Sequence, residues 1–243
     1  MKILGIIPAR YASTRFPGKP LAYIEGKTMI RRVYEQACKC KSLHKVVVAT
    51  DHYSIYEHII EFGGNAVMTS DKHHSGTDRC NEVLERMDVN YDFVINIQGD
   101  EPFIQPEQID LLCSVLTKET QLATLVKKIE TVESLYNINT PKVVFNEAYE
   151  AIYFSRHPIP YVRGVDASLW LAKQKFYKHI GIYAYRTDVL KAITALKPSN
   201  LEYAESLEQL RWIEHGYKIK VAITELESMG IDTPEDLENL KLR

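Results

Sequence analysis

The sequence predicts an α/β fold built on a mostly parallel sheet, and three observations lead to it. Short β-rich runs alternate with segments of helical periodicity, the pattern of strands covered by helices. The chain of 243 residues is long enough to bury one large core without disulfides or a structural metal. No internal repeat, low-complexity tract or Gly/Ser linker divides it, so residues 1–243 read as a single domain.

Strands are expected at 3–7, 45–50, 66–69, 93–97, 123–128, 143–145, 151–154, 179–185 and 218–224, each a short run rich in β-branched or aromatic residues. Helices are expected to start near Met29, Ser54, Thr77, Pro106, Leu201 and Pro234. Several of these starts lie beside a Ser, Thr, Asp or Asn able to accept the free N–H groups of a first turn. From 147 to 177 the alternation lapses into an aromatic, Pro-containing stretch, EAYEAIYFSRHPIPYVRGVDASLWLAKQKFY, read as an inserted arm or a subunit contact.

Composition excludes several classes. Acids and bases nearly balance at a net charge of -2, so there is no broad cationic surface for nucleic acid, and any anion site must be local. Cys38, Cys40, Cys80 and Cys113 lack the spaced pairs of a zinc site and read as reduced thiols. The apolar run at 3–7 ends at Pro8 and Arg10, too soon for a signal peptide, and no stretch approaches a membrane span. A cytoplasmic location is therefore expected.

The segment after the first strand, Pro8 to Pro20, carries Arg10, Arg15 and Lys19 on a loop leaving a strand's carboxyl end, where open α/β sheets bind ligands. Fixed cations with backbone N–H groups suit a polyphosphate, although a solvated basic loop has the same composition. Neither GxGxxG nor GxxxxGK[ST] is present, so any phosphate grip here belongs to side chains, and a nicotinamide oxidoreductase is disfavoured.

The fourth expected strand delivers Asp100 and Glu101 to the same sheet edge, which makes Asp100 a candidate magnesium ligand if a second acid joins it. Asp232, in GIDTPEDL, is that candidate. On residue chemistry alone, Asp232 or Thr233 with Pro234 fits a helix start better than a metal site. Ser75 and Arg79, in SGTDR, open another helix and can either cap it or meet a nucleotide, while His73 and His74 before them read as exposed loop histidines.

Taken in order, IPARYASTRFPGKP, TDRCNEVL, NIQGDEPFIQP and GIDTPEDL resemble the CMP-Kdo synthetases across nearly the whole chain, and more distantly the CMP-sialate synthetases. The resemblance implies a Rossmann-like nucleotidyltransferase sheet with helices on both faces and an inserted dimerisation arm. It also implies a homodimer and Mg2+-dependent transfer of CMP from CTP to the anomeric hydroxyl of 3-deoxy-manno-octulosonate (Kdo). By position it assigns Arg10, Ser13, Arg15 and Lys19 to the triphosphate loop, Ser75 and Arg79 to CTP, and Asp100 and Asp232 to the metal. Arg10, Lys19, Asp100 and Asp232 are its catalytic set.

For the sugar, the resemblance places Arg156 against the carboxylate, and Gln98, His179, Tyr183, Glu208 and Gln209 on the hydroxyls. Alternation along 179–183 independently puts Tyr183 on the face of His179. Taken residue by residue, His179 also suits a structural histidine, Tyr183 plain sheet packing, and Glu208 a helix-surface ion pair with Arg211. The expected chemistry is in-line attack on the α-phosphorus without a covalent enzyme intermediate. A CMP-sialate synthetase and a non-catalytic nucleotide sensor are the alternatives, separated by pyrophosphate release with Kdo, neuraminate or no sugar.

Overall fold

The structure is a computed structural model that describes residues 1–12 and 16–241. The first half runs β1 (Ile3–Ala9), β2 (Tyr23–Ile24), β3 (Lys27–Thr28), α1 (Met29–Ala37), β4 (Lys45–Thr50), α2 (Tyr53–Glu61), β5 (Ala66–Met68), α3 (Gly76–Glu85), β6 (Phe93–Asn96) and α4 (Pro106–Ser114). The second half runs β7 (Leu122–Lys128), α5 (Val132–Tyr136), β8 (Lys142–Phe145), β9 (Ala151–Ser155), α6 (Trp170–Lys173), β10 (Tyr177–Arg186), α7 (Thr187–Thr194), α8 (Asn200–Glu205), α9 (Gln209–Glu214), β11 (Ile219–Ile223) and α10 (Pro234–Lys241).

Among the described residues, nine strands form one sheet whose main path is β11-β7-β10-β6-β1-β4-β5. Strand β1 is parallel to β4 and β6, β4 to β5, and β7 to β11, whereas β10 runs antiparallel to both β6 and β7. The mostly parallel reading thus holds for the path apart from β10. One side of the sheet packs Ile30, Val33, Ile55, Ile59, Ile109 and Leu112 from α1, α2 and α4. The other packs Cys80, Val83, Val189, Leu190, Leu210 and Trp212 from α3, α7 and α9. The central strands are covered on both faces, which is why their sequences are continuously apolar.

Several elements were not anticipated. The β2–β3 hairpin turns at Glu25 and Gly26, with φ of 46° and 81°, a two-residue reversal too short to leave a periodic signal. Helix α7 follows β10 with no intervening turn residue, so the strand pattern masks it. The stretch 147–177 contains β9, the strand expected at 151–154 and a hairpin partner of β8, and then an unanticipated 3-10 turn and the single-turn helix α6. It carries its own small core, in which Trp170 and Phe176 join Ile129 and Leu135.

Candidate active site

The cavity at the carboxyl ends of β1 and β6 has a volume of about 260 Å³ and brings together Arg10, Lys19, Ser75, Arg79, Gln98, Asp100 and Asp232. These come from four separate segments of the sequence. Their meeting depends on Gly99, because a Cβ there would sit 2.7 Å from the Pro8 carbonyl oxygen. No side chain fits at that distance, so glycine lets the end of β6 press against the first loop.

Lys19 is the point of convergence. Its Nζ donates to Asp100 Oδ2 at 2.7 Å and to Asp232 Oδ1 at 3.1 Å, so both carboxylates reach one cationic centre. Of the two expected placements of Asp232, the structure gives the cap to its neighbour and sets the Asp232 carboxylate at the cavity. Capping of α10 falls to Thr233, whose Oγ1 accepts from Asp236 N at 3.2 Å, while Asp236 accepts from the N–H groups of Asp232 and Thr233. Ile231 N donates to the Asp100 carbonyl at 2.9 Å and so ties the C-terminal loop to the end of β6.

Two carboxylates that already share one cation fit a magnesium ion, which takes one or two protein acids and completes its shell with water and phosphate oxygens. Among the described residues no group of three or more His, Cys, Asp or Glu side chains gathers into an all-protein metal cage, which agrees with a shell completed by water and phosphate oxygens. Ser13 and Arg15 lie outside the described residues.

The opposite wall is the start of α3. Ser75 both lines the cavity and closes a capping box, accepting from Asp78 N at 3.1 Å while its own N–H donates to Asp78 Oδ2 at 3.2 Å. Arg79 is buried and held by Asp51 at 2.8 Å, with further bonds to Thr69 Oγ1 and the Ser70 carbonyl. It is a fixed positive group on the wall. His73 and His74 also line the cavity; His74 is an exposed loop residue as expected, whereas His73 is half-buried, which corrects its reading. The ring of His73 is tied through Nε2 to Glu82, a carboxylate that also accepts from Ser70 N at 2.8 Å. His73 stands two residues before the SGTDR segment, and nothing in sequence reports this tie unless its partner on α3, nine positions on, is noticed.

The residues expected to meet the sugar divide into two groups. Gln98 lies on the cavity wall and covers a bulge in β10, where a Cβ on Gly181 would meet Gln98 Cγ and Glu101 Oε1, each at 3.5 Å. The bulge shifts the register between Ile180 and Tyr183, opposite Leu125 and Thr124. It inserts an even number of residues, so alternation survives, and the His179 and Tyr183 rings lie 5.1 Å apart on one face.

Thr124 settles the chemistry of His179. Its Oγ1 is 2.7 Å from the Ile182 carbonyl, 3.3 Å from the Ile180 carbonyl and 2.9 Å from His179 Nε2. A hydroxyl has one hydrogen, which goes to the bulge carbonyls, so Nε2 donates and Nδ1 is left as an acceptor. Burial pushes the His179 pKa down to about 3, so the ring is neutral. Among the described residues the Tyr183 hydroxyl has no hydrogen-bond partner, and burial pushes its pKa up.

Glu208 accepts from Thr77 Oγ1 at 2.7 Å; burial raises its pKa against the hydrogen bonds of Thr77 and Ser75. It does not pair with Arg211, whose guanidinium instead grips Glu202 at 2.7 and 2.5 Å. Gln209 is buried at the start of α9.

Arg156, like His179, Tyr183, Glu208 and Gln209, is not among the residues that line the cavity. Three of its N–H donors already serve the carbonyls of Glu205, Ile138 and Ser206 at 2.6, 2.9 and 3.2 Å. Phe154, two residues before it, meets the His179 ring edge-on at 5.4 Å, so this end of β9 adjoins the His179 face.

A doubly covered sheet with a polar cavity at its carboxyl edge, walled by fixed cations and a helix N-terminus and closed by paired acids, defines an α/β fold of the nucleotidyltransferase class. The cytidylyltransferase family profile matches residues 4–219. The 3-deoxy-manno-octulosonate cytidylyltransferase of Cytophaga hutchinsonii is 58% identical over 98% of this chain and 95% of its own length. That of Parabacteroides distasonis is 59% identical over 98% of this chain and 96% of its own length. The chain belongs to the 3-deoxy-manno-octulosonate cytidylyltransferases within the cytidylyltransferase family. A solved CMP:2-keto-3-deoxy-manno-octonic acid synthetase complexed with CTP superposes with a TM-score of 0.92 at 43% identity, over 100% of this chain and 98% of that one. A cytidylyltransferase from Leptospira borgpetersenii, at 18% identity and a TM-score of 0.64 over 99% of this chain and 85% of that one, shares the fold alone.

Proposed function

We propose that this chain transfers CMP from CTP to the anomeric hydroxyl of Kdo and releases pyrophosphate, with Mg2+ as cofactor. The observation that carries the reading is the meeting of Lys19, Asp100 and Asp232 at one point of a cavity bounded by the N-terminus of α3, in a chain 58% identical to a 3-deoxy-manno-octulosonate cytidylyltransferase.

In this reading Arg10 and Lys19 hold the β- and γ-phosphates and stabilise the leaving pyrophosphate, and Ser75 and Arg79 bound the nucleotide. Asp100 and Asp232 would hold the magnesium ion, which when bound supplies charge neutralisation at the α-phosphate and favours ionisation of the attacking hydroxyl. Gln98, His179, Tyr183, Glu208 and Gln209 orient Kdo. Among these, neutral His179 offers an acceptor at Nδ1, and the unpartnered Tyr183 hydroxyl gains a partner when a sugar hydroxyl arrives. Arg156 would reach the Kdo carboxylate with the N–H groups its three carbonyl bonds leave over.

The reaction is placed in the cytoplasm, where CTP is made, and its product would supply lipopolysaccharide synthesis. No described helix is long and apolar enough to cross a membrane. A homodimer through 147–177 is supported by β9 being an edge strand and by the exposure of Tyr149, Ile152 and Tyr161.

Pyrophosphate release from CTP and Mg2+ with Kdo, neuraminate or no sugar tests the proposal. Release with Kdo alone is expected. Release with neuraminate alone would overturn the acceptor, and no release with either sugar would overturn the enzyme.

A further inference from the structure

A row of buried hydrogen bonds leads to Glu208 through Asn96, Tyr185 and Thr77, three residues that the reaction as described does not use. Asn96 Nδ2 donates to the Tyr185 hydroxyl at 3.0 Å, Tyr185 meets Thr77 Oγ1 at 3.2 Å, and Thr77 Oγ1 donates to Glu208 Oε2 at 2.7 Å. Asn96, Thr77 and Tyr185 are all buried, at 3%, 2% and 0% exposure.

The direction of every bond follows from the groups themselves. An amide NH2 only donates, so the Tyr185 oxygen accepts from Asn96. Tyr185 must then send its own hydrogen to Thr77, because the threonine hydrogen is committed to the carboxylate. The row therefore runs one way, from the central strand β6 to Glu208, and each donor polarises the next. Asn96 stands at the end of β6, shortly before Asp100, and Thr77 lies in the first turn of α3, beside cavity residues Ser75 and Gly76.

We propose that Thr77 and Tyr185 are positioning residues that fix the Glu208 carboxylate for the sugar, and that they link its placement to the nucleotide wall at Ser75–Thr77. The inference rests on the reading of Glu208 as a Kdo-binding group. A buried carboxylate raised by desolvation stays ionised and aimed only if donors hold it. Here the donor, Thr77 Oγ1, belongs to the segment that bounds the nucleotide. The sugar-side acid is thus held by the nucleotide-side helix.

The test uses Thr77→Val, Thr77→Ser, Tyr185→Phe and Glu208→Gln in the full-length protein, with pyrophosphate release followed at varied Kdo and at varied CTP. A hydrogen bond to a charged group is worth about 10- to 100-fold. Thr77→Val should therefore raise the KM for Kdo about 10-fold or more while the KM for CTP moves less than about twofold, and Thr77→Ser should restore it. Tyr185→Phe should show the same split at smaller size. If Glu208→Gln leaves the Kdo kinetics unchanged, the sugar reading of Glu208 falls, and this inference falls with it. If Glu208→Gln weakens Kdo while Thr77→Val and Tyr185→Phe do not, the inference alone is overturned. A Thr77→Val protein too unstable to assay leaves the decision to Tyr185→Phe, whose unchanged KM for Kdo would count against the inference in the same way.

Discussion

Replacing Thr124 by Val keeps the shape of the side chain and removes one oxygen, which in this fold serves three groups. The hydroxyl lies 2.7 and 3.3 Å from the carbonyls of Ile182 and Ile180 and 2.9 Å from His179 Nε2, and Thr124 is fully buried. Valine leaves at least the imidazole N–H and the nearer carbonyl without partners. At about 1–3 kcal/mol for each buried group so orphaned, the variant should lose about 2–6 kcal/mol. For a chain of this size that is on the order of 4–24 °C in melting temperature.

Thr124→Ser should recover most of the loss. The specific signature is in nitrogen-15 NMR of His179, expected to show a neutral ring protonated at Nε2 throughout pH 5 to 8. Burial lowers the folded pKa from 6.5 to about 3, so the unfolded state binds the extra proton first as pH falls. The contribution of His179 to stability is therefore complete above 6.5 and is lost as the pH drops toward 3. A His179 that titrates near 6.5, a ring protonated at Nδ1, or a Thr124→Val protein as stable as the parent would each refute the reasoning.

Three further outcomes are expected. Gly99→Ala must move the end of β6 away from Pro8, since its Cβ would fall 2.7 Å from a carbonyl; a displacement approaching 1 Å should lower kcat about 100-fold, measured by pyrophosphate release. Asp100→Asn and Asp232→Asn should each lower kcat by about 100-fold or more with far smaller change in CTP affinity by calorimetry, and an unchanged rate would remove that acid from the metal site. Arg79→Leu strands the Asp51 carboxylate, which is largely buried against it, and should cost about 3–5 kcal/mol in denaturant unfolding.

Much of the candidate site was legible because its chemistry is local. The cations of the first loop, the acids after the fourth strand and the Ser-Gly-Thr helix start are each short segments whose residue types announce an anion or a metal. His179 and Tyr183 were legible as a pair because strand alternation survives the even-numbered bulge between them. Arg156 shows the limit. Its guanidinium is engaged by carbonyls at 138, 205 and 206, and no local pattern reports partners that far along the chain.

By itself the sequence determined the α/β class, the order of most strands, the sheet edge that carries the site and the family to which the chain belongs. These rest on periodicity and on contiguous motifs, which are properties of neighbouring residues. Only the tertiary structure decided that β10 runs antiparallel between β6 and β7, that Thr233 caps α10 and leaves Asp232 to Lys19, and that Thr77 and Thr124 hold Glu208 and His179. The reason is physical: a single hydroxyl or carboxylate has many possible partners in sequence, and burial among particular neighbours selects which of them it must satisfy.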